Sequence, residues 1–136
     1  MPSVKLPRPL VNQLLHQAQL GADHEICGLI GAWQGVPAHG YPVTNTAAAP
    51  KSRFAMDPKG QIDAMRQMRE RDEDLFAIYH THPASPALPS AIDLAEAAYP
   101  EALYLIISLN TQGVLEMRGF RLKNQNAEEV ALELQD

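Results

Sequence analysis

The chain has 136 residues, 46% of them hydrophobic, and a formal net charge of -5. That is enough for one core, read as a single domain over residues 1–136, and too little for a barrel of roughly 250 residues. The acidic balance, with no basic run of five or more, speaks against a nucleic-acid surface. One cysteine excludes an internal disulfide framework, the segment from Met1 to Pro7 lacks the apolar stretch of a signal peptide, and no apolar run nears the ~18 residues of a membrane span. A cytoplasmic protein, bound to neither membrane nor nucleic acid, is the expectation.

Between Pro9 and Leu20, the residues Val11, Leu14, Leu15 and Ala18 fall at i, i+3, i+4 and i+7, which predicts an amphipathic helix stopped at Gly21, with His16 as a surface residue. Ile26 to Trp33 reads as a buried strand, and Gly35 turns the chain toward a second strand near Ala38 to Val43. Ala47 to Ser52 reads as a mobile loop. Asp57-Pro58 supplies an N-cap and first-turn proline for a helix with Ile62, Met65 and Met68 on one face, ending in the charge run Arg69 to Asp74, read as solvated. Leu75 to Tyr79 is a short strand, a helix starts at Ser90, and Leu103 to Leu109 is a buried strand. Thr111-Gln112-Gly113 makes a turn into a strand over Val114 to Leu122, with Leu115, Met117 and Gly119 on one face and Glu116, Arg118 and Phe120 on the other. The tail from Glu128 to Leu134 fits either a strand or a short helix. There is no repeat, low-complexity tract or linker; the pattern is α/β.

The chemistry concentrates in the stretch from His80-Thr81-His82-Pro83 to Ser90-Ala91-Ile92-Asp93. Side chains at i and i+2 of an extended segment share a side, so His80 and His82 can converge on one ion while Thr81 faces away. Prolines at 83, 86 and 89 stiffen a loop that can return Asp93 as a third ligand. Three N and O ligands leave zinc's fourth tetrahedral position to water, the arrangement of a catalytic site. Ser90 and Asp93 are equally a serine N-cap with an acidic residue at N3, and the two readings are compatible. Other His-x-His chemistries fit less well: a zinc deaminase needs paired cysteines, and a cupin-like site carries a Glu shortly after the second His, where this chain has only prolines, alanines, Ser85 and Leu88.

An upstream Glu, then His-x-His-Pro, six residues and Ser-x-x-Asp is a pattern that resembles the JAMM (MPN+ domain) zinc metalloproteases. Glu25 opens Glu25-Ile26-Cys27-Gly28-Leu29-Ile30-Gly31, which resembles the family's glutamate-bearing strand. Asn45, Pro50, the stretch from Arg53 to Pro58 and Gln61 resemble the segment before the long helix in its small free-standing prokaryotic members. The resemblance covers about Glu25 to Leu109.

It implies a cytidine-deaminase-like α/β fold, with a mixed, curved sheet flanked by helices. It also implies one zinc per chain on His80, His82 and Asp93, Glu25 as the general base and acid, and Ser90 as a hydrogen-bond donor to the oxyanion. The implied reaction is hydrolysis after the C-terminal Gly-Gly of a ubiquitin-like sulfur-carrier protein. A non-catalytic MPN-type scaffold and a general small-peptide amide hydrolase stand as the alternatives, and homodimerisation is left open. Cys27, two residues beyond Glu25, reads as a packed thiol beside the site or a redox-sensitive one. His24 should face away from it.

Overall fold

The computed structural model describes residues 3–110 and 115–136. In chain order it comprises β1 (Ser3–Pro7), α1 (Arg8–Leu20), β2 (Cys27–Trp33), β3 (Val36–Val43), α2 (Pro58–Glu70), β4 (Glu73–His82), α3 (Ala91–Glu96), β5 (Leu103–Ser108), β6 (Glu116–Lys123) and β7 (Asn126–Gln135). The seven strands form one mixed sheet in the order β1-β7-β6-β5-β4-β2-β3. β1 runs parallel to β7 and β4 to β5, and the remaining neighbours are antiparallel.

Both faces of the sheet are covered, which is why β5 (Leu-Tyr-Leu-Ile-Ile-Ser) is buried at every position. Leu103, Leu105 and Ile107 face α1, whose Leu10, Val11, Leu14 and Ala18 fill that side together with Leu6 of β1 and Ile30 of β2. Tyr104 and Ile106 face the opposite side, where Ala64 and Met68 of α2 pack with Leu29, Ile78, Phe120 and Leu122, and Leu94 of α3 joins them. The fold is the α/β, mixed-sheet architecture expected.

Several elements depart from the sequence reading. β1 was not anticipated: it is five residues long, and its pairing partner β7 lies at the other end of the chain. The tail is a strand because it has β6 on one side and β1 on the other. On α2, Ile62 is 66% exposed, and the buried positions are Ala64 and Met68. The row Gly60, Ala64, Met68 at i, i+4, i+8 faces the sheet, where a Cβ on Gly60 would stand 3.2 Å from Val43 Cγ1. The small residues let the helix sit close, and this rotates Ile62 outward. The Asp57 cap is formed, with Oδ2 accepting from Gly60 N at 3.3 Å.

The charge run after α2 is not wholly solvated. Glu73 starts β4 and is buried, its carboxylate accepting from Tyr41 Oη at 2.6 Å and pairing with His39. Gly31 leaves it room, since a Cβ there would fall 2.3 Å from Glu73 Oε1. On β6, Met117 packs with the α1-side cluster and Phe120 with the other, as the alternation predicts. The turn at Thr111-Gln112-Gly113 and Val114 lie outside the described residues. Among the described residues, no helix is long and apolar enough to cross a membrane.

Candidate metal centre

β4 continues through His82, beyond the Leu75–Tyr79 segment expected, because His80, Thr81 and His82 pair in parallel with Ile106, Ile107 and Ser108 of β5. The pleat then does what the spacing predicts. His80 and His82 point to the face shared with α3, while Thr81 Oγ1 accepts from Ile26 N at 2.9 Å. Both imidazoles are almost wholly buried.

The chain from Pro83 to Pro89 loops back and places α3 against them. Ser90 caps this helix: its Oγ accepts from Asp93 N at 3.0 Å, and Asp93 Oδ2 accepts from Ser90 N at 2.9 Å. The same Oδ2 lies 3.1 Å from His80 Nε2 and 3.1 Å from His82 Nε2, and the two nitrogens are 3.1 Å apart. One carboxylate oxygen thus serves the helix cap and meets both imidazoles.

This triangle fits a small cation. Ligands at about 2.0–2.1 Å in tetrahedral array stand about 3.3–3.4 Å apart, close to the 3.1 Å edges seen here. His82 Nδ1 lies 2.8 Å from the Pro86 carbonyl, which can only accept, so Nδ1 carries the proton and Nε2 presents a lone pair to the centre. His80 has no such anchor: its Nδ1 is buried without a hydrogen-bond partner, and its ring stacks on Phe54 with centroids 4.4 Å apart and planes at 26°.

Glu25 lies just before β2 and is 3% exposed. A carboxylate oxygen of it falls within 4.8 Å of ligand nitrogens of His80 and His82, and its Oε1 is buried without a partner. Burial pushes its carboxyl up to about 7. The Asp93 carboxyl is also buried, yet the His80 and His82 imidazoles against it and the hydrogen bond from Ser90 N hold it well below the usual carboxylate range. His24 turns aside to pair with Asp23 at 2.8 Å. Cys27 is a packed thiol, 2% exposed, directed to the Val43 carbonyl at 3.3 Å and pushed up to about 12 by burial.

Two hollows flank the centre. One, of about 170 Å³, borders His80 and Asp93 and is walled by Phe54, Met56, Ile78, Ile92 and Tyr104. The other, of about 480 Å³, borders Glu25 and lies between the end of α1 and the residues following β3.

The family model for prokaryotic homologues of the JAB domain matches residues 7–123. This chain belongs to that family. Its JAB-domain relatives include the CysO-cysteine peptidase of Mycobacterium tuberculosis, 31% identical over 115 residues, which cover 83% of this chain and 78% of the relative. The desampylase of Haloferax volcanii is 34% identical over 105 residues, covering 71% and 74%. Among solved structures, protein DSY2949 of Desulfitobacterium hafniense superposes with a TM-score of 0.87 at 31% identity, covering 97% of this chain and 92% of that one. A JAB1/MPN domain protein of Archaeoglobus fulgidus shares the fold, with a TM-score of 0.62 at 19% identity and coverage of 98% and 100%. The JAB-domain chain is thus a JAMM-type peptidase, and its His-His-carboxylate cluster is compatible with a metal site.

Of the residues at the centre, Glu25, His80, His82, Ser90 and Asp93 are legible in the sequence pattern, whereas Phe54 stands there only within a resembling segment. The signal for Phe54 was absent because stacking on His80 is a contact across 26 positions of sequence.

Proposed function

We propose that this chain is a zinc-dependent peptidase or isopeptidase that hydrolyses the bond after the C-terminal Gly-Gly of a ubiquitin-like sulfur-carrier protein in the cytoplasm. The observation that carries the reading is the convergence of His80 Nε2, His82 Nε2 and Asp93 Oδ2 at 3.1 Å, with the Glu25 carboxylate and its unpartnered Oε1 beside them. The names of the relatives support the substrate class: one is a CysO-cysteine peptidase, and another, from Thermus thermophilus, is a probable TtuB-protein conjugate cleaving protease.

In this reading His80, His82 and Asp93 hold one zinc ion per chain. Bound there, zinc acidifies a water and polarises the scissile carbonyl. Glu25, buried and with its carboxyl raised to about 7, takes the proton of the attacking water and hands it to the leaving amine. Ser90 Oγ accepts from Asp93 N, which leaves its own O–H free to donate to the oxyanion at the end of α3. An extended Gly-Gly tail brings no side chains, so it passes close to the buried imidazoles, and the apolar hollow walled by Ile78, Ile92 and Tyr104 receives the residues before it. The leaving amine departs on the Glu25 side.

The test pairs metal analysis with turnover. Wild-type protein should bind about one zinc, Asp93→Ala should lose it, and Glu25→Gln should keep it while kcat on a carrier conjugate falls by about 10²–10⁴. Undiminished cleavage by Glu25→Gln would remove Glu25 as the base. Cleavage of short peptides with no action on a Gly-Gly carrier would point to a general amide hydrolase. Absence of both zinc and turnover would point to a scaffold.

A further inference from the structure

Glu25 lies outside the regular sheet, and both of its backbone polar groups are satisfied by a single segment, residues 45–56, between β3 and α2. Its N–H donates to the Pro50 carbonyl at 2.7 Å, and its carbonyl accepts from Asn45 Nδ2 at 2.9 Å. Asn45 is the knot of that segment. Its Nδ2 also donates to Arg53 O at 3.1 Å, while its Oδ1 accepts from Ala47 N at 2.9 Å and Ala55 N at 3.0 Å. Thr46 N donates to Ala55 O at 2.8 Å, and Arg53 N to Ala49 O at 3.1 Å. The stretch read from sequence as mobile is therefore tied at both ends and across its middle.

The same segment reaches the other side of the centre. Phe54 stacks on His80, the imidazole whose Nδ1 has no hydrogen bond to fix its ring. Arg53 pairs with Glu96 of α3, the helix that carries Asp93. A His ligand usually gains its orientation from a hydrogen bond at the distal nitrogen, and here the aromatic face takes that place.

We propose that residues 45–56 form a strap that assembles the metal centre, with Phe54 setting the plane of His80 and Asn45 holding the strap and the Glu25 backbone together. Both are positioning residues toward the metal centre, each acting on it through another group, although Phe54 also walls the hollow assigned to the substrate. The inference rests on His80 being a metal ligand.

The test reads metal affinity, independently of turnover, by titrating zinc into metal-free protein against a chromophoric chelator, with cobalt as a spectroscopic probe of ligand geometry. Phe54→Leu keeps apolar bulk and loses the ring face, so zinc affinity should fall about 10-fold and the cobalt ligand-field bands should shift. Phe54→Tyr should restore wild-type affinity. Asn45→Ala should also weaken zinc binding, and the double variant Asn45→Ala/Phe54→Leu should be no weaker than the sum of the two losses predicts, and measurably stronger, because the two residues act through one strap. Wild-type affinity in Phe54→Leu overturns the assignment, and so does equal loss in the Leu and Tyr variants. If Phe54→Leu fails to fold by circular dichroism, Phe54→Met is read in its place on the same terms. Wild-type protein that binds no metal refutes the metal-site reading itself, an outcome separate from failure of the strap.

Discussion

Ser90 joins a structural duty to a proposed catalytic one, and two substitutions separate them. Its Oγ accepts from Asp93 N at 3.0 Å as the N-cap of α3. Ser90→Ala removes both the cap and the hydroxyl and should cost about 1 kcal/mol of stability, whereas Ser90→Gly removes the hydroxyl but, as a tolerated N-cap, should cost only a few tenths. Against a net stability of about 5–15 kcal/mol, neither change leaves an appreciable unfolded fraction. A large fall in kcat therefore cannot come from unfolding. An oxyanion donor is worth about 10²–10³ in kcat, or about 2.7–4 kcal/mol of barrier. Both variants should lose that factor on a Gly-Gly carrier conjugate, with Ser90→Gly close to wild type in urea unfolding and in zinc content. Ser90→Thr, which keeps cap and donor, should retain most of the activity. A Ser90→Gly enzyme within three-fold of wild-type kcat, by the roughly hundred-fold standard set above, would reduce Ser90 to a cap and refute its role at the oxyanion.

Two further predictions concern the surroundings of the site. Gly28→Ala would place a Cβ 2.3 Å from Tyr79 Oη and 2.5 Å from the Tyr41 carbonyl oxygen; since Tyr79 is anchored to Gln17 at 2.6 Å, the clash should cost about 1–3 kcal/mol in urea unfolding, and a loss below about 0.5 kcal/mol, the scale of a neutral surface change, would contradict it. Cys27, buried at 2% exposure with its thiol pushed up to about 12, should resist iodoacetamide in the folded protein at pH 8 and react once the protein is unfolded in urea. Complete labelling of the folded protein on the timescale of the unfolded control would restore the redox-sensitive reading.

The elements read most directly from sequence are those whose signal is local. The period of Val11, Leu14, Leu15 and Ala18 gave α1 to within a residue, and Asp57-Pro58 marked the start of α2, because a helix face and a cap are written within a turn or two. The His80/His82 spacing was equally legible, since a pleat puts i and i+2 on one side wherever the strand lies. What failed were inferences about surroundings. Ile62 belongs to the apolar period of α2, yet it stays exposed while Met65 and Met68 of the same period pack with Ala64. Glu73 belongs to a charge run, yet Gly31 opens a buried place for it beside Tyr41.

The sequence alone determined which residue types are available to hold an ion and that His80 and His82 share a side, because those depend on side-chain chemistry and on the two-residue period of a strand. Tertiary structure decided that Asp93 Oδ2 closes the triangle at 3.1 Å, that Glu25 arrives beside it with Oε1 unpartnered, and that residues 45–56 bind Glu25 on one side and stack on His80 on the other. It also decided that the first and last strands pair. Those contacts join segments distant along the chain, and they are chosen by the packing of the whole sheet and its helices, which no local pattern encodes.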